Sequence, residues 1–534
     1  MAPRAHRQAL SERAQFVLAL SVIVIIGLAV YVPHVVHGGL AADDWVDASR
    51  FYFHHGSGFG AAVAAHADPS RTVWSVINTL DWWVMGIHPV PHLIQTLAAS
   101  LIEAGLILAV ARRLGMPLLA GATLALLVLL WPAADSSRLW ANGAQQTIAV
   151  VLLLAGFLVA LIGLDRHGPW SVVLHCLAIV LYVASMLDYE LTAPVILLAG
   201  FVYVHQVGWR RGGWRWALDA IAVLTTLLHR DLTTHKHSFG VSADLDHARV
   251  IGDQALTLAA HSVLPVGGVP RVGVLIGIGG VVGVGLVLAL SGPPSQRQRA
   301  RRNVGYLVAG AAVVVAGYLM IVPADPGYQP VSAGVGNRID AVAALGFALI
   351  VLALCGIVGQ VAARMTGGSG RRVAGVSTAL ALVIIAMGAS VVVTDASHWD
   401  RASVEQQETL AVIRHLVRSP SATTTVFTFG RSGYSAPSVP IFGGGGNGDL
   451  VGAVRVMWMN GSVRGFPILQ EMHFVCSSYS VRLLDTGMIN STTVYGRADF
   501  INLLTSKVVV PRDQHQCQAV TSAFPYAPVN ESND

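Results

Sequence analysis

The chain has 534 residues, 54% hydrophobic and only 12% charged, with a mean hydropathy of +0.60 and a net charge of +5. So much apolar side chain in so long a chain excludes a soluble globular enzyme and describes a polytopic membrane protein. The modest positive charge is not a nucleic-acid signal, because the arginines sit mostly in short loops between apolar runs, where they fix topology.

A membrane span needs about 20 mostly apolar residues. Eleven runs meet that need: residues 16–33, 91–111, 117–133, 146–164, 169–187, 190–207, 216–229, 272–291, 304–322, 340–362 and 373–394. The first follows Arg4, Arg7 and Arg13, lacks a small-residue cleavage site and reads as a retained signal anchor. With the N-terminus in the cytoplasm, the inner loops collect sixteen arginines and the longer outer loops only eight Arg or Lys residues. An odd number of spans then leaves the tail outside. The expected fold is an α-helical polytopic membrane protein with a small extracytoplasmic α+β domain at its C-terminus. Residues 1–394 form the transmembrane module, with outer loops 34–90, 230–271 and 323–339, and residues 395–534 form the outer domain. In the first outer loop, Trp74, Trp82 and Trp83 fit a helix lying at the interface. In the tail, Ser403–Val417 reads as a helix, and Thr423–Phe429, Val451–Met457, Thr492–Tyr495 and Val508–Val510 read as strands. Cys176 and Cys355 lie in apolar runs, whereas Cys476 and Cys517 share the polar tail and can form a disulfide if it lies outside.

Three constellations have the residue types that chemistry needs. Asp43-Asp44 stand just beyond the first span, in the string Gly38-Gly39-Leu40-Ala41-Ala42-Asp43-Asp44-Trp45-Val46-Asp47. A carboxylate there can take a proton from an attacking hydroxyl, or hold a divalent cation such as magnesium or manganese against a phosphate. A solvated loop or a helix cap would use the same residues. Asp188-Tyr189-Glu190 occupy the tight outer hairpin between the fifth and sixth spans, where an ordinary turn would also put acids. His229, Arg230, His235, Lys236 and His237, with Arg338 after Gly334-Val335-Gly336-Asn337, form an outer cationic set. Arginine suits a phosphate, and lipid head groups would attract the same charges. The Gly443–Gly446 run lacks the Lys-Ser/Thr ending of a phosphate loop, and Glu103 stands alone in an apolar run.

These features together resemble the GT-C superfamily of integral-membrane glycosyltransferases. The likeness rests on the acid pair in the first outer loop and on the polar turn Ala134-Asp135-Ser136-Ser137-Arg138-Leu139-Trp140-Ala141-Asn142-Gly143 before a long span. It rests also on Met186-Leu187-Asp188-Tyr189-Glu190-Leu191-Thr192-Ala193-Pro194, and on His398-Trp399-Asp400-Arg401 through Gln406-Gln407 after the last span. The resemblance implies a polyprenyl-phosphate sugar donor and inverting transfer to an envelope glycan or protein on the outer face. Asp43 or Asp44 would be the base and Glu190 a second acid near the acceptor or a metal. Arg338, with Arg230, Lys236 and His235, would hold the donor phosphate. No Trp-Trp-Asp string is present, and Asp81-Trp82-Trp83 reverses that order, so peptide asparagine is not the expected acceptor. Abundant Ala, Val, Gly and Arg with little Lys is the usage of a high-GC bacterium such as an actinobacterium. A flippase for lipid-linked glycan and a non-catalytic envelope assembly protein are the competing readings. The first predicts internal repeats, which are not visible, and the second predicts dispensable Asp43 and Asp44.

Overall fold

The computed structural model describes residues 11–234, 241–263, 280–284, 287, 294–323, 328–366, 370–443, 448–469, 472–485 and 488–522. Among these, eight helical stretches are long and apolar enough to cross a membrane: Glu12–His37, Pro89–Arg113, Ala144–Leu164, Pro169–Asp188, Glu190–Thr233, Pro294–Leu319, Val335–Met365 and Arg372–Leu416. A shorter apolar helix, Leu118–Leu129, packs beside them. The Glu190–Thr233 stretch holds two of the expected spans, because the helix Ala193–Thr234 breaks at Gly208 (φ 79°, ψ 165°), a conformation that residues with a Cβ avoid. Gly200 then faces the Trp216 indole and Gly212 faces the Tyr203 backbone, so the two halves lie against each other. The expected span 272–291 falls almost wholly outside the described residues, as do His235, Lys236, His237 and Gly444–Gly446.

Polar segments join the spans at one end, here the acid-bearing end. Residues 34–90, expected to be an outer loop, fold into the helices Asp43–His54, Phe59–Ala65 and Thr72–Met85. Trp82 on the last of these packs inside the protein: it is buried, donates to Asn78 and tilts against the His92 ring. Much of 230–271 is helical too, since Ala193–Thr234 runs through Arg230 and Val241–Val263 forms another helix.

One expectation for the tail is extended and another corrected. Ser403–Val417 is helical as expected, up to Leu416, as part of one 47-residue helix, Gly370–Leu416, that runs from the last span into the tail. No Gly or Pro occurs between Gly388 and Pro420 to interrupt it, so the 394/395 boundary falls inside a helix. Val451–Met457 is not a strand but part of the helix Asp449–Trp458, which buries Leu450, Ala453 and Val454 at helical spacing. Around these helices stands a sheet in the order Arg464–Pro467, Thr425–Phe429, Ala498–Asn502, Lys507–Val509, with the first two pairings parallel and the last antiparallel. A three-stranded antiparallel sheet, Met472–Cys476, Ser480–Asp485 and Met488–Val494, packs on it through Phe427, Phe474 and Phe500. Cys476 and Cys517 are joined in a disulfide, which ties this sheet to the helix Gln514–Ser522.

Candidate active site

The first span ends at His37, where the Gly38 N–H caps it by donating to the His34 carbonyl at 2.7 Å. A Cβ on Gly39 would strike the Ser403 side chain, so the chain passes close to the long last helix. Ala42 then adopts φ 46°, a left-handed conformation that is costly for a residue with a side chain, and the acid helix Asp43–His54 begins directly after it. Carboxylates in a first helical turn are favoured by the unpaired N–H groups there.

The two members of the acid pair differ. Asp44 is buried and uses both oxygens, accepting from the Ala41 N–H at 2.9 Å and from the Asn142 N–H at 3.0 Å. Burial pushes its carboxyl well above the usual range, and those two hydrogen bonds oppose the rise. Asp43 is half-buried, and among the described residues no hydrogen bond or ion pair engages its carboxylate. Asp47, one turn on, is buried and accepts from Asn78 at 2.9 Å, Asn142 at 3.4 Å and Arg50 at 3.4 Å. Burial raises its carboxyl as well.

The polar turn before the Ala144–Leu164 span, buried except for the half-buried Asn142, clamps this helix. Trp140 donates to the Ala41 carbonyl at 2.9 Å, and Asn142 reaches Asp44 and Asp47 as above. Arg138 pairs with Glu103 at 3.3 Å, both buried, which gives the lone intramembrane acid its partner. Arg138 therefore serves packing and does not act as a loop charge. The Arg338 guanidinium lies over the Trp140 ring, 4.9 Å from its centroid. The glycines before it do not make a loose loop. Gly334 (φ 75°) is pressed against the Ser438 carbonyl, and the Val335 N–H donates to that carbonyl at 2.9 Å. The neighbouring Asn337 is buried, donating to Asp135 at 2.8 Å and accepting from the Ser136 N–H at 3.0 Å.

Glu190 forms a second centre. It takes a forked pair of bonds from Arg71 at 3.1 and 3.2 Å and one from Arg230 at 2.8 Å, while Arg71 also stacks on Tyr189. The helix Thr72–Met85 connects the centres, because Arg71 caps its start and Asn78 holds Asp47. Seven residues of helix separate those anchors, about 10 Å along its axis. Sequence alone did not single out Arg71, because nothing local marks a partner 119 positions away. Asp47 and Asn78 were missed too. Of these, only Asp47 leaves a trace, standing three residues after Asp44 on one helical face.

The C-terminal domain packs on the acid helix. Its helix Asp449–Trp458 lies on Asp43–His54 so closely that a Cβ on Gly452 would enter the Trp45 carbonyl. Trp45 donates to Gln406 at 3.2 Å, and Gln406 in turn donates to the Ile441 carbonyl. His34 bonds Asp400 at 2.7 Å and the Leu139 carbonyl at 2.6 Å. Among the described residues, no group of three or more His, Cys, Asp or Glu side chains converges as metal ligands.

No protein-family model and no curated protein matches this chain. Among solved structures, ArnT from Cupriavidus metallidurans in the apo state is similar at a TM-score of 0.35 and 12% identity, covering 78% of this chain and 82% of that one. The same protein bound to undecaprenyl phosphate gives a TM-score of 0.33 and 12% identity, covering 79% and 84%.

Proposed function

We propose that this chain is a membrane glycosyltransferase of the GT-C kind, moving a sugar from a polyprenyl-phosphate donor to a cell-envelope glycan or protein on the extracytoplasmic face. The observation that carries the reading is the asymmetry of the acid pair: Asp44 is consumed in holding the helix, while Asp43 projects an unengaged carboxylate from the same clamped turn. A fixed, unpaired carboxylate is what a general base requires. In the proposed step, an acceptor hydroxyl oxygen attacks the anomeric carbon, its proton passes to Asp43, and the bond from that carbon to the donor phosphate oxygen breaks. The anomeric configuration inverts, and the lipid phosphate leaves with the bonding pair. Negative charge grows on that phosphate, so a guanidinium fixed nearby lowers the barrier. Arg338, held on Trp140, is suited to this, as is Arg71, which keeps a further N–H donor beyond those given to Glu190. Glu190 is assigned to orienting Arg71 and Arg230. Residue usage of a high-GC bacterium favours an envelope glycan as acceptor.

The test is single substitution in the full-length protein, assayed with a polyprenyl-phosphate sugar and an envelope glycan acceptor. Asp43→Asn is expected to cut turnover at least about 100-fold, with donor binding and the thermal midpoint unchanged. Asp44→Asn is expected to lower the midpoint first, because an amide cannot accept from both N–H groups. Undiminished transfer by Asp43→Asn would remove the base and with it the reading, leaving a carrier or assembly role.

A further inference from the structure

At the opposite, arginine-rich end of the spans, a cavity of about 560 Å³ opens between three helices. Phe16 on the first helix and Leu158 and Ile162 on the Ala144–Leu164 helix give it apolar walls. Its rim carries Arg112 and Arg113 from the end of Pro89–Arg113, with Asp165 and Arg166 from just beyond Leu164. Arg113 pairs with Asp165 and with the Leu161 carbonyl. Arg112 gives one bond, at 3.1 Å, to the Met116 carbonyl, and among the described residues no carboxylate engages it or the exposed Arg166. The lining is thus left with two guanidiniums that no carboxylate engages among the described residues, above an apolar slot.

We infer that this cavity is a binding site for one anionic phospholipid, its phosphodiester between Arg112 and Arg166 and an acyl chain along Phe16, Leu158 and Ile162. The charge asymmetry of the loops assigns this end to the cytoplasm, so the lipid comes from the inner leaflet. Basic pockets between spans on that side bind acidic head groups, and the apolar wall distinguishes a lipid from a free anion. Bound there, the lipid bridges the first span to the two that pack beside it.

The experiment follows thermal unfolding of the full-length protein in a neutral detergent, titrated with phosphatidylglycerol, phosphatidylcholine or inorganic phosphate. Phosphatidylglycerol is expected to raise the midpoint saturably while the other two do not. The Arg112→Gln/Arg166→Gln double variant is expected to bind about thirtyfold more weakly, from the loss of two surface charges. Leu158→Trp, which fills the slot and keeps both arginines, is expected to abolish the response and serves if the double variant does not fold. An equal shift with phosphatidylcholine, an equal shift with inorganic phosphate, or an unchanged response in Leu158→Trp each overturns the lipid site.

Discussion

At the residue scale, one turn of chain divides the work between neighbouring acids. Ala42 takes a conformation costing about 1–3 kcal/mol so that Asp43 and Asp44 can start a helix at once. Glycine adopts that conformation freely, so Ala42→Gly is expected to keep or raise stability, whereas Ala42→Val costs at least about 1 kcal/mol. Denaturation of the two variants in detergent checks the order. A second residue-scale expectation concerns Asp449. Burial lifts its carboxyl from an ordinary 3.8 to about 6, against the Gly443 and Leu450 N–H groups. The folded state therefore holds this proton more tightly than the unfolded chain does. Its contribution is complete below pH 4 and is lost as pH rises through 6, on the order of 3 kcal/mol. Thermal midpoints from pH 4 to 7 are expected to fall less steeply in Asp449→Asn than in the unaltered protein. Asp43 and Asp44 stand out in the sequence because acids beside a span are unusual. The difference in their hydrogen bonding does not, since it depends on Asn142, 98 residues from Asp44.

At the element scale, hydropathy located the described spans well, because a bilayer demands length and apolarity and little else. It missed the union of the last span with the tail helix, since a rod that leaves the membrane simply turns polar while its hydrogen bonding continues. Val451–Met457 misled for another reason: its valines favour strands, yet burial of every third or fourth residue against neighbouring segments selects a helix. The seat of that helix on the acid helix rests on Gly452. Gly452→Val is expected to part the two helices and reduce transfer at least about tenfold, while Gly252→Val, where a Cβ meets nothing, leaves it intact. Turnover of both variants at matched expression measures the difference.

At the scale of the whole molecule, a bundle of spans and a mixed α+β domain meet over the acid helix Asp43–His54. The domain's own cohesion leans on the Cys476–Cys517 bridge, which closes 41 residues of chain. Loop-closure entropy values such a link at about 4 kcal/mol. Cys476→Ser with Cys517→Ser is expected to lower the unfolding free energy of the tail by that order, and added reductant should reproduce the loss in the unaltered protein. Sequence composition made the two-part architecture legible, but the contact between the parts is built from long-range pairs such as Trp45 with Gln406, which no local pattern records. The 47-residue helix from Gly370 to Leu416 is about 70 Å long, more than twice the hydrocarbon thickness. A rod of that length belongs to both parts at once, so the span bundle and the C-terminal domain share one backbone with no hinge of broken hydrogen bonds between them.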